Sequence, residues 1–235
     1  FYTMLFIWKN ILSTFFPKYC ISYLEILSQK EEFLCIECRH FLEKTHFHEQ
    51  KINKITEKFW GTLPLSCASA MFYYQKEGVV QQLIHELKYY GKEKIGQWLG
   101  KWYANELSKS VHFQEIDIVI PVPIHPKKLK IRGYNQVTLF AKEIALALNA
   151  ELVEDVLVKK FNNSAQAQKN KEDRYKDSKD LFSIQNEEKI KGKNILLVDD
   201  VITTGATLEV CAKAILSVPE TQLGISCIAF TEDRL

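Results

Sequence analysis

The chain has 235 residues, which is enough for one α/β domain with a small appendage. Hydrophobic residues make up 46% and charged residues 26%, an ordinary balance for a globular protein that can bury a full core. The formal net charge of +2 argues against a strongly basic nucleic-acid-binding protein, although lysines cluster at 127–132 and 159–179 and leave a local basic patch open.

The first 16 residues are apolar and aromatic. Their large side chains recur at helical spacing, at Leu5, Trp8, Ile11, Leu12 and Phe15. This pattern predicts an amphipathic helix docked on the body of the protein. The stretch has neither the basic start nor the small-residue cleavage site of a signal peptide. No apolar run is long enough to span a bilayer, so we expect a cytoplasmic protein without a membrane span.

A short cysteine-bearing segment comes next, with Cys20 followed by Cys35 and Cys38. In a cytoplasmic protein, such cysteines indicate free thiols or metal ligands rather than a disulfide framework. The composition changes near residue 68, where we place a boundary between this segment and the rest of the chain.

After residue 68, strand and helix patterns alternate. Strands are predicted at 69–74, 116–120, 152–158, 195–198 and 225–230, and helical stripes run from Val79 to Leu87, Val137 to Leu148 and Val210 to Ile215. This alternation predicts an α/β fold with a mostly parallel sheet and helices on both faces. Residues 159–180 are polar and rich in lysine, which predicts a mobile loop.

The stretch 121–136 follows one predicted strand and precedes a helix, so we expect it to face a ligand. Its prolines stiffen the chain, and Lys128, Arg132 and nearby N–H groups can hold a pyrophosphate. Asn135 and Gln136 can either cap the helix or bind substrate. A rigid connector with solvated lysines is an equally good interpretation of this stretch alone.

Residues 195–207 are the most informative part of the chain, reading Ile-Leu-Leu-Val-Asp-Asp-Val-Ile-Thr-Thr-Gly-Ala-Thr. A buried strand is predicted to end at Asp199 and Asp200, and a helix follows the turn. The amino end of a helix offers N–H groups and a positive dipole end to a phosphate, and Gly205 permits close approach. The carboxylates can grip ribose hydroxyls, or Mg²⁺ through water. Capping of the helix alone explains two adjacent acids poorly.

This stretch resembles the phosphoribosyl pyrophosphate (PRPP) signature of type I phosphoribosyltransferases. Three other motifs resemble the ComF family: His85-Glu86-Leu87-Lys88-Tyr89-Tyr90-Gly91, Pro121-Val122-Pro123-Ile124-His125 and Arg132-Gly133-Tyr134-Asn135-Gln136. The resemblance extends from about Phe15 to the C-terminus. It implies a type I phosphoribosyltransferase fold, a parallel-sheet core with flanking helices, at 68–235. It also implies a zinc-ribbon-like segment, here degenerate, which together with the predicted N-terminal helix makes up residues 1–67.

The resemblance further implies which residues form the site. Asp199 and Asp200 would contact the ribose hydroxyls of PRPP, with Lys128 and Arg132 near its pyrophosphate. The remaining PRPP-binding residues would be Val201, Thr203, Thr204, Gly205, Ala206, Thr207, Lys88, Gln166 and Arg174. Mg²⁺ would neutralise the leaving group, and a loop at 159–182 would close over the site.

Two loop residues depart from the ComF pattern. Lys159 stands where an arginine is usual, and Asp177 where an asparagine is usual. Lysine keeps the charge but lacks the bidentate fork of arginine. A carboxylate at Asp177 repels phosphate unless Arg174 or a metal pairs with it. These changes bear on loop closure, and hence on turnover, more than on PRPP binding.

The expected zinc site also departs from the family pattern of two Cys-x-x-Cys pairs. The pair at Cys35 and Cys38 is intact, but Cys20 is followed by Tyr23 in the usual ligand position. Because structural zinc usually has four ligands, Zn²⁺ binding needs another donor or is weakened. Candidates for this donor are Cys67, His40, His46 and His48, and a degenerate ribbon without metal is the alternative.

Two functional classes follow from the resemblance. In the first, the protein is an enzyme that transfers phosphoribosyl from PRPP to an unknown nitrogen acceptor and is linked to DNA uptake in competence. In the second, it is a non-catalytic accessory protein that binds PRPP or a nucleotide. It would then act with a helicase-like partner on single-stranded DNA. A basic groove at Lys127, Lys128 and Lys130 would favour direct contact with single-stranded DNA.

Overall fold

The computed structural model describes residues 17–159 and 181–232. The expected N-terminal amphipathic helix and the loop residues Gln166, Arg174 and Asp177 lie outside the described residues. Within these two ranges, no helix combines the length and the apolar character needed to cross a membrane.

Five parallel strands form the central sheet in the order β1-β7-β6-β2-β3. Their bounds are β1 Leu65–Tyr73, β2 Ile118–Pro121, β3 Glu151–Leu152, β6 Asn194–Ile202 and β7 Gln222–Phe230. The central strands β6 and β7 are buried along most of their length, which explains why they appear in the sequence as nearly continuous apolar runs. The predicted parallel sheet is confirmed.

Helices cover both faces of this sheet. Their bounds are α1 Ile36–His40, α2 Lys54–Lys58, α3 Val79–Tyr89, α4 Lys94–Leu107, α5 Pro126–Arg132, α6 Thr138–Leu148 and α7 Ala206–Leu216, with 3-10 turns at Phe47–Glu49 and Glu187–Lys189. The three predicted helical stripes correspond to α3, α6 and α7 and are confirmed. Because the side chains of β6 alternate, Leu196 and Val198 pack towards α3, α4 and α6, whereas Ile195 and Leu197 pack towards α7.

Helix α4 was not predicted from the sequence. Its two glycines, Gly96 and Gly100, lower the intrinsic preference for helix. In the fold they allow α4 to pack closely against α6, because a Cβ atom at Gly100 would lie 2.9 Å from the carbonyl oxygen of Phe140. Tertiary packing therefore outweighs local propensity in this helix.

The prediction of one strand at 152–158 is wrong. Residues 151–152 form β3 in the main sheet, whereas β4 (Leu157–Lys159) pairs antiparallel with β5 (Phe182–Ile184) in a separate ribbon. The chain leaves the sheet between them at exposed acidic residues, and the carboxylate of Asp155 accepts a hydrogen bond from Lys189 Nζ at 2.6 Å.

Strand β6 is longer than the predicted strand at 195–198. It pairs with β7 as far as Ile202 and Phe230, whereas its pairing with β2 ends at Val198 and Pro121. The two aspartates therefore lie inside β6 rather than at its end. Since β2 stops first, a crevice opens beside them at the carboxyl edge of the sheet, where α/β proteins bind ligands.

Candidate functional site

A cavity of about 410 Å³ lies in this crevice, between α3, the β2–α5 connection, β6 and the start of α7. It is lined by Lys88, Tyr89, Val122, Pro123, Ile124, His125, Lys128, Arg132, Gln136, Lys159, Asp199, Asp200 and Thr207. All four residues expected to be catalytic, namely Asp199, Asp200, Lys128 and Arg132, are among them. Four cationic side chains against two carboxylates make this an environment for an anionic ligand.

Asp200 is held by donors from two different helical segments. Lys88 Nζ donates to Asp200 Oδ1 at 2.7 Å, and Gln136 Nε2 donates to Asp200 Oδ2 at 2.7 Å. Arg132 in turn donates to the side-chain oxygen of Gln136. Since Asp200 is only 6% exposed, these charge-assisted bonds compensate its loss of hydration and set its orientation.

Asp199 is on the opposite face of β6. Its Oδ1 accepts a hydrogen bond from the backbone N–H of Asp200 at 2.8 Å. Burial and the neighbouring charge of Asp200 raise the pKa of Asp199 to about 8, against the opposing effect of Lys88 and Lys159. Burial and the charge of Asp200 both disfavour the ionised form of Asp199. A cation close to the two carboxylates would favour that form instead. Paired carboxylates of this kind fit a hard divalent ion such as Mg²⁺.

The turn between β6 and α7 has the form expected of a phosphate-binding loop. Gly205 precedes the helix with a φ of +80°, and a Cβ atom there would lie 2.7 Å from the ring of Phe59, so only glycine fits. Thr203 and Thr204 are exposed, and Thr207 lines the cavity. The amino end of α7 thus presents its first-turn N–H groups and positive dipole end at the cavity.

The stretch 126–132, expected to be part of a loop, is the short helix α5. Pro126 starts it, and His125 caps it by accepting the N–H of Lys127 at Nδ1, at 3.1 Å. The helical spacing of four residues places Lys128 and Arg132 on the same side, and both line the cavity. Lys127 and Lys130, the other lysines of the expected basic groove, are exposed and are not part of the lining.

Asn135 ties the start of α6 to the cavity wall. Its Nδ2 donates to the carbonyl of Val122 at 3.0 Å, and its Oδ1 accepts the N–H of Val137 at 3.3 Å. Helix capping and substrate binding were both considered for Asn135 and Gln136. The side chain of Asn135 bonds the backbone, whereas that of Gln136 reaches into the cavity.

Seven lining residues were not among the expected PRPP-site residues, although Gln136 had been considered for capping or substrate binding: Tyr89, Val122, Pro123, Ile124, His125, Gln136 and Lys159. Tyr89 is the last residue of α3 and 66% exposed, and the guanidinium of Arg132 lies 5.6 Å from its ring centre. Lys159 ends β4, with Nζ 5.0 Å from the ring centre of Phe182. In the sequence, Tyr89 belongs to the Lys-Tyr-Tyr motif and Lys159 stands at a position of the family pattern. Neither feature shows whether the side chain points into the cavity.

The three cysteines of the cysteine segment (residues 17–42) form a second cluster. All are buried, and their sulfurs lie within 4.8 Å of one another, with 3.5 Å between the sulfurs of Cys20 and Cys38. Burial opposes ionisation of Cys20, but backbone N–H groups of Cys35, Tyr23 and Ser22 outweigh it and lower its pKa. Burial raises the pKa values of the Cys35 and Cys38 thiols, so it is the spacing of the three sulfurs that allows the cluster to hold a metal ion.

Within the described ranges, none of the expected fourth ligands Cys67, His40, His46 and His48 joins this cluster. Cys67 lies in β1, where its sulfur packs against Gly224. The ring of His48 packs edge-on against Tyr103. Tyr23 is 60% exposed.

Comparison with known proteins identifies the fold and shows which proteins the chain is similar to. Residues 138–234 match the phosphoribosyl transferase domain, which together with the parallel sheet confirms the type I phosphoribosyltransferase fold. Competence protein ComFC of Bacillus subtilis (strain 168) is 25% identical over 202 residues, which cover 81% of this chain and 80% of that protein. The chain is therefore similar to a competence protein over most of its length, and the expected resemblance to the ComF family is confirmed.

Other relatives are matched over shorter stretches. Competence protein F of Haemophilus influenzae is 28% identical over 147 residues, covering 60% of this chain and 64% of that protein. The DNA utilization protein YhgH of Escherichia coli (strain K12) is 24% identical over 152 residues, covering 63% of this chain and 66% of that protein. The chain thus matches slightly less than two thirds of the length of these two relatives.

Proposed function

We propose that this protein binds PRPP with Mg²⁺ in the cavity and transfers its phosphoribosyl group to a nitrogen acceptor, releasing pyrophosphate. The observation that carries the proposal is the gathering of Asp199, Asp200, four cationic side chains and the amino end of α7 around one cavity. PRPP contains both ribose hydroxyls and phosphates. A site that binds it therefore needs carboxylates for the hydroxyls and cations for the phosphates.

Each part of PRPP has a matching part of the cavity. The residues from Thr203 to Thr207 would cradle the 5′-phosphate through N–H and hydroxyl groups at the start of α7. Asp199 and Asp200 in β6, next to Val201, would bond the ribose hydroxyls. Lys88 would keep the carboxylate of Asp200 in place. Gln166 and Arg174 would add contacts from the loop expected to close over the site.

The chemistry requires positioning more than a nucleophilic side chain. The bond from the anomeric carbon to a pyrophosphate oxygen breaks, a bond to the acceptor nitrogen forms, and that nitrogen loses a proton. Mg²⁺, when bound, supplies charge neutralisation to the departing pyrophosphate. Lys128 and Arg132, one helical turn apart on α5, stabilise the same developing charge from the protein.

The second candidate is an accessory protein that binds PRPP or a nucleotide without turnover. It would act with a helicase-like partner on single-stranded DNA during uptake. The competence and DNA-utilization names of the relatives fit both candidates, whereas lysine rather than arginine at position 159 favours the second. Both candidates need the same cavity, so ligand binding tests them together and turnover separates them.

The decisive experiment is calorimetric titration of PRPP into the full chain, with and without Mg²⁺. We expect Mg²⁺-dependent binding that weakens at least about 100-fold, or roughly 2.7 kcal/mol, in the Asp199→Asn/Asp200→Asn double variant. Asp155→Asn, which changes an exposed carboxylate outside the cavity, is the matched control. Absence of PRPP binding to the folded wild type would reject the first candidate and leave only a nucleotide as the ligand of the second. Pyrophosphate release with a panel of amines and bases then distinguishes an enzyme from an accessory protein.

A further inference from the structure

Lys88, which bonds Asp200, lies in the last turn of α3. The last carbonyl groups of a helix have no partner inside the helix and need one from elsewhere. The carbonyl of Leu87, the residue before Lys88, accepts a hydrogen bond from the hydroxyl of Tyr134, which is 47 residues further along the chain. The end of α3 is therefore fastened to the link between α5 and α6 at the residue next to Lys88.

The link itself is shaped so that Tyr134 reaches α3. Gly133 ends α5 with a φ of +83°, and its N–H donates to the carbonyl of Leu129 at 2.7 Å. A left-handed residue of this kind stops a helix and turns the chain away from it. The ring of Tyr134 then packs against the core cluster that contains Leu87. The hydroxyl thus has a defined position at the end of α3.

The stretch from Arg132 to Gln136 controls both donors of Asp200. Gln136 donates directly to Oδ2 of Asp200, whereas Lys88 donates to Oδ1 from the other side. Tyr134 lies midway in this stretch but is not part of the cavity lining. Any effect of Tyr134 on a ligand must therefore act through a residue that does line the cavity, and Lys88 is the lining residue next to its hydrogen bond.

Lys88 needs such support because its side chain is long and flexible. Its side chain is 25% exposed, so water competes with Asp200 for the ammonium group. A fixed backbone position reduces the entropy that is lost when the ammonium bonds the carboxylate. Burial also raises the pKa of Tyr134, against the opposing effect of Arg132, so its hydroxyl keeps its proton and remains a donor at neutral pH.

We propose that Tyr134 is a positioning residue of the ligand site. Its hydroxyl holds the last turn of α3 in place, and this keeps Lys88 bonded to Asp200. The consequence for PRPP affinity rests on the proposed function, whereas the contact between Lys88 and Asp200 can be measured without any ligand.

The first test measures that contact by NMR of the full chain with ¹⁵N-labelled lysine. Hydrogen-bonded ammonium groups exchange their protons slowly and give signals in cold, mildly acidic solution. Tyr134→Phe removes one hydroxyl and keeps the ring. We expect a Lys88 signal, assigned with Lys88→Met, in the wild type and its loss in Tyr134→Phe. The signal of Lys44, bonded to Glu106 at 2.6 Å outside the cavity, should persist and report an intact fold.

Two results of this test would overturn the proposal. A Lys88 signal that is unchanged in Tyr134→Phe would show that the hydroxyl does not hold the lysine. A wild type in which Lys44 gives a signal and Lys88 gives none would show that Lys88 is not held at all.

The second test is a double-mutant cycle on PRPP affinity. Tyr134→Phe should weaken PRPP binding about 3- to 10-fold, the range expected for one hydrogen bond, and should cause no further loss in a Lys88→Met background. Equal losses in both backgrounds would overturn the proposal, since the role of Tyr134 would then be independent of Lys88. Tyr90→Phe, which removes an exposed hydroxyl at the same helix end, is the control. If the wild type does not bind PRPP, the proposed function fails, while the lysine signals still decide the role of Tyr134.

Discussion

The cavity and the cysteine segment both gather ionisable side chains, but they are held together differently. In the cavity, Asp200 is bonded by Lys88 and Gln136, which are 112 and 64 residues away along the chain. In the cysteine segment, the sulfurs of Cys20 and Cys38 lie 3.5 Å apart and belong to residues only 18 positions apart. The cavity is therefore organised by contacts between distant parts of the chain, whereas the cysteine cluster is organised by local ones.

The largest effect that this comparison predicts comes from metal removal. A zinc chelator should lower the melting temperature of the wild type by roughly 10 °C, which corresponds to about 3 kcal/mol for a chain of this size, because metal binding is coupled to folding. Below the lowered melting temperature, PRPP affinity should stay within about threefold, as the segment does not line the cavity. Differential scanning calorimetry measures the melting temperature, and titration measures the PRPP affinity. A large loss of PRPP affinity would contradict the separation of the sites.

The next largest effect concerns the ion pair of Lys88 and Asp200. Lys88→Met leaves a nearly buried carboxylate with a single donor, and should cost about 2 kcal/mol, less than for a fully buried pair because Lys88 is 25% exposed. Lys92→Met breaks an exposed pair with Glu86 and should cost under about 1 kcal/mol. Urea unfolding of both variants checks this, and equal costs would show that Asp200 is not organised by its partners.

A smaller effect is expected at Gln136, which links Arg132 to Asp200. Gln136→Leu keeps the apolar volume but removes one charged hydrogen bond at each end, and should weaken PRPP binding about tenfold, or roughly 1.4 kcal/mol. Gln136→Glu places a carboxylate next to Asp200 and should weaken PRPP binding further. If Gln136→Leu binds PRPP like the wild type, Asp200 needs only Lys88 for its orientation.

The smallest effect is a gain in stability. The folded-state pKa of Asp199, about 8, lies above that of an unfolded chain, so ionisation costs the folded protein free energy as the pH rises from about 4 to 8. Asp199→Asn removes this cost, although we expect it to weaken PRPP binding. We expect its melting temperature to exceed that of the wild type by about 2–4 °C at pH 8 and by less at pH 5. Thermal scans at both pH values measure the difference, and a lower melting temperature at pH 8 would contradict it.

The sequence predicted those features that are encoded locally. The run from Ile195 to Thr207 contains its own strand, turn and helix start, so the phosphate turn and both aspartates could be recognised in order. The spacing of Lys128 and Arg132 likewise indicated a common ligand. Helix α5 between them was missed because a proline and several lysines are typical of a loop as well.

Features that depend on distant contacts were not predictable. The position of Asp199 inside β6 depends on β2 ending earlier, which no local pattern shows. The hydrogen bond from Gln136 to Asp200 joins different elements. The alternation of side chains along β6 alone does not reveal which helix faces Asp200.

The ring of Phe59 beneath Gly205 has a practical consequence for how the protein can be shortened. Phe59 precedes β1, yet it lies directly against the turn that starts α7, 146 residues further along. A fragment that began at residue 68 would lack this ring and the first residues of β1, from Leu65 to Cys67. Loss of ligand binding in such a fragment would therefore reveal a missing support beneath the turn rather than the contribution of the cysteine segment.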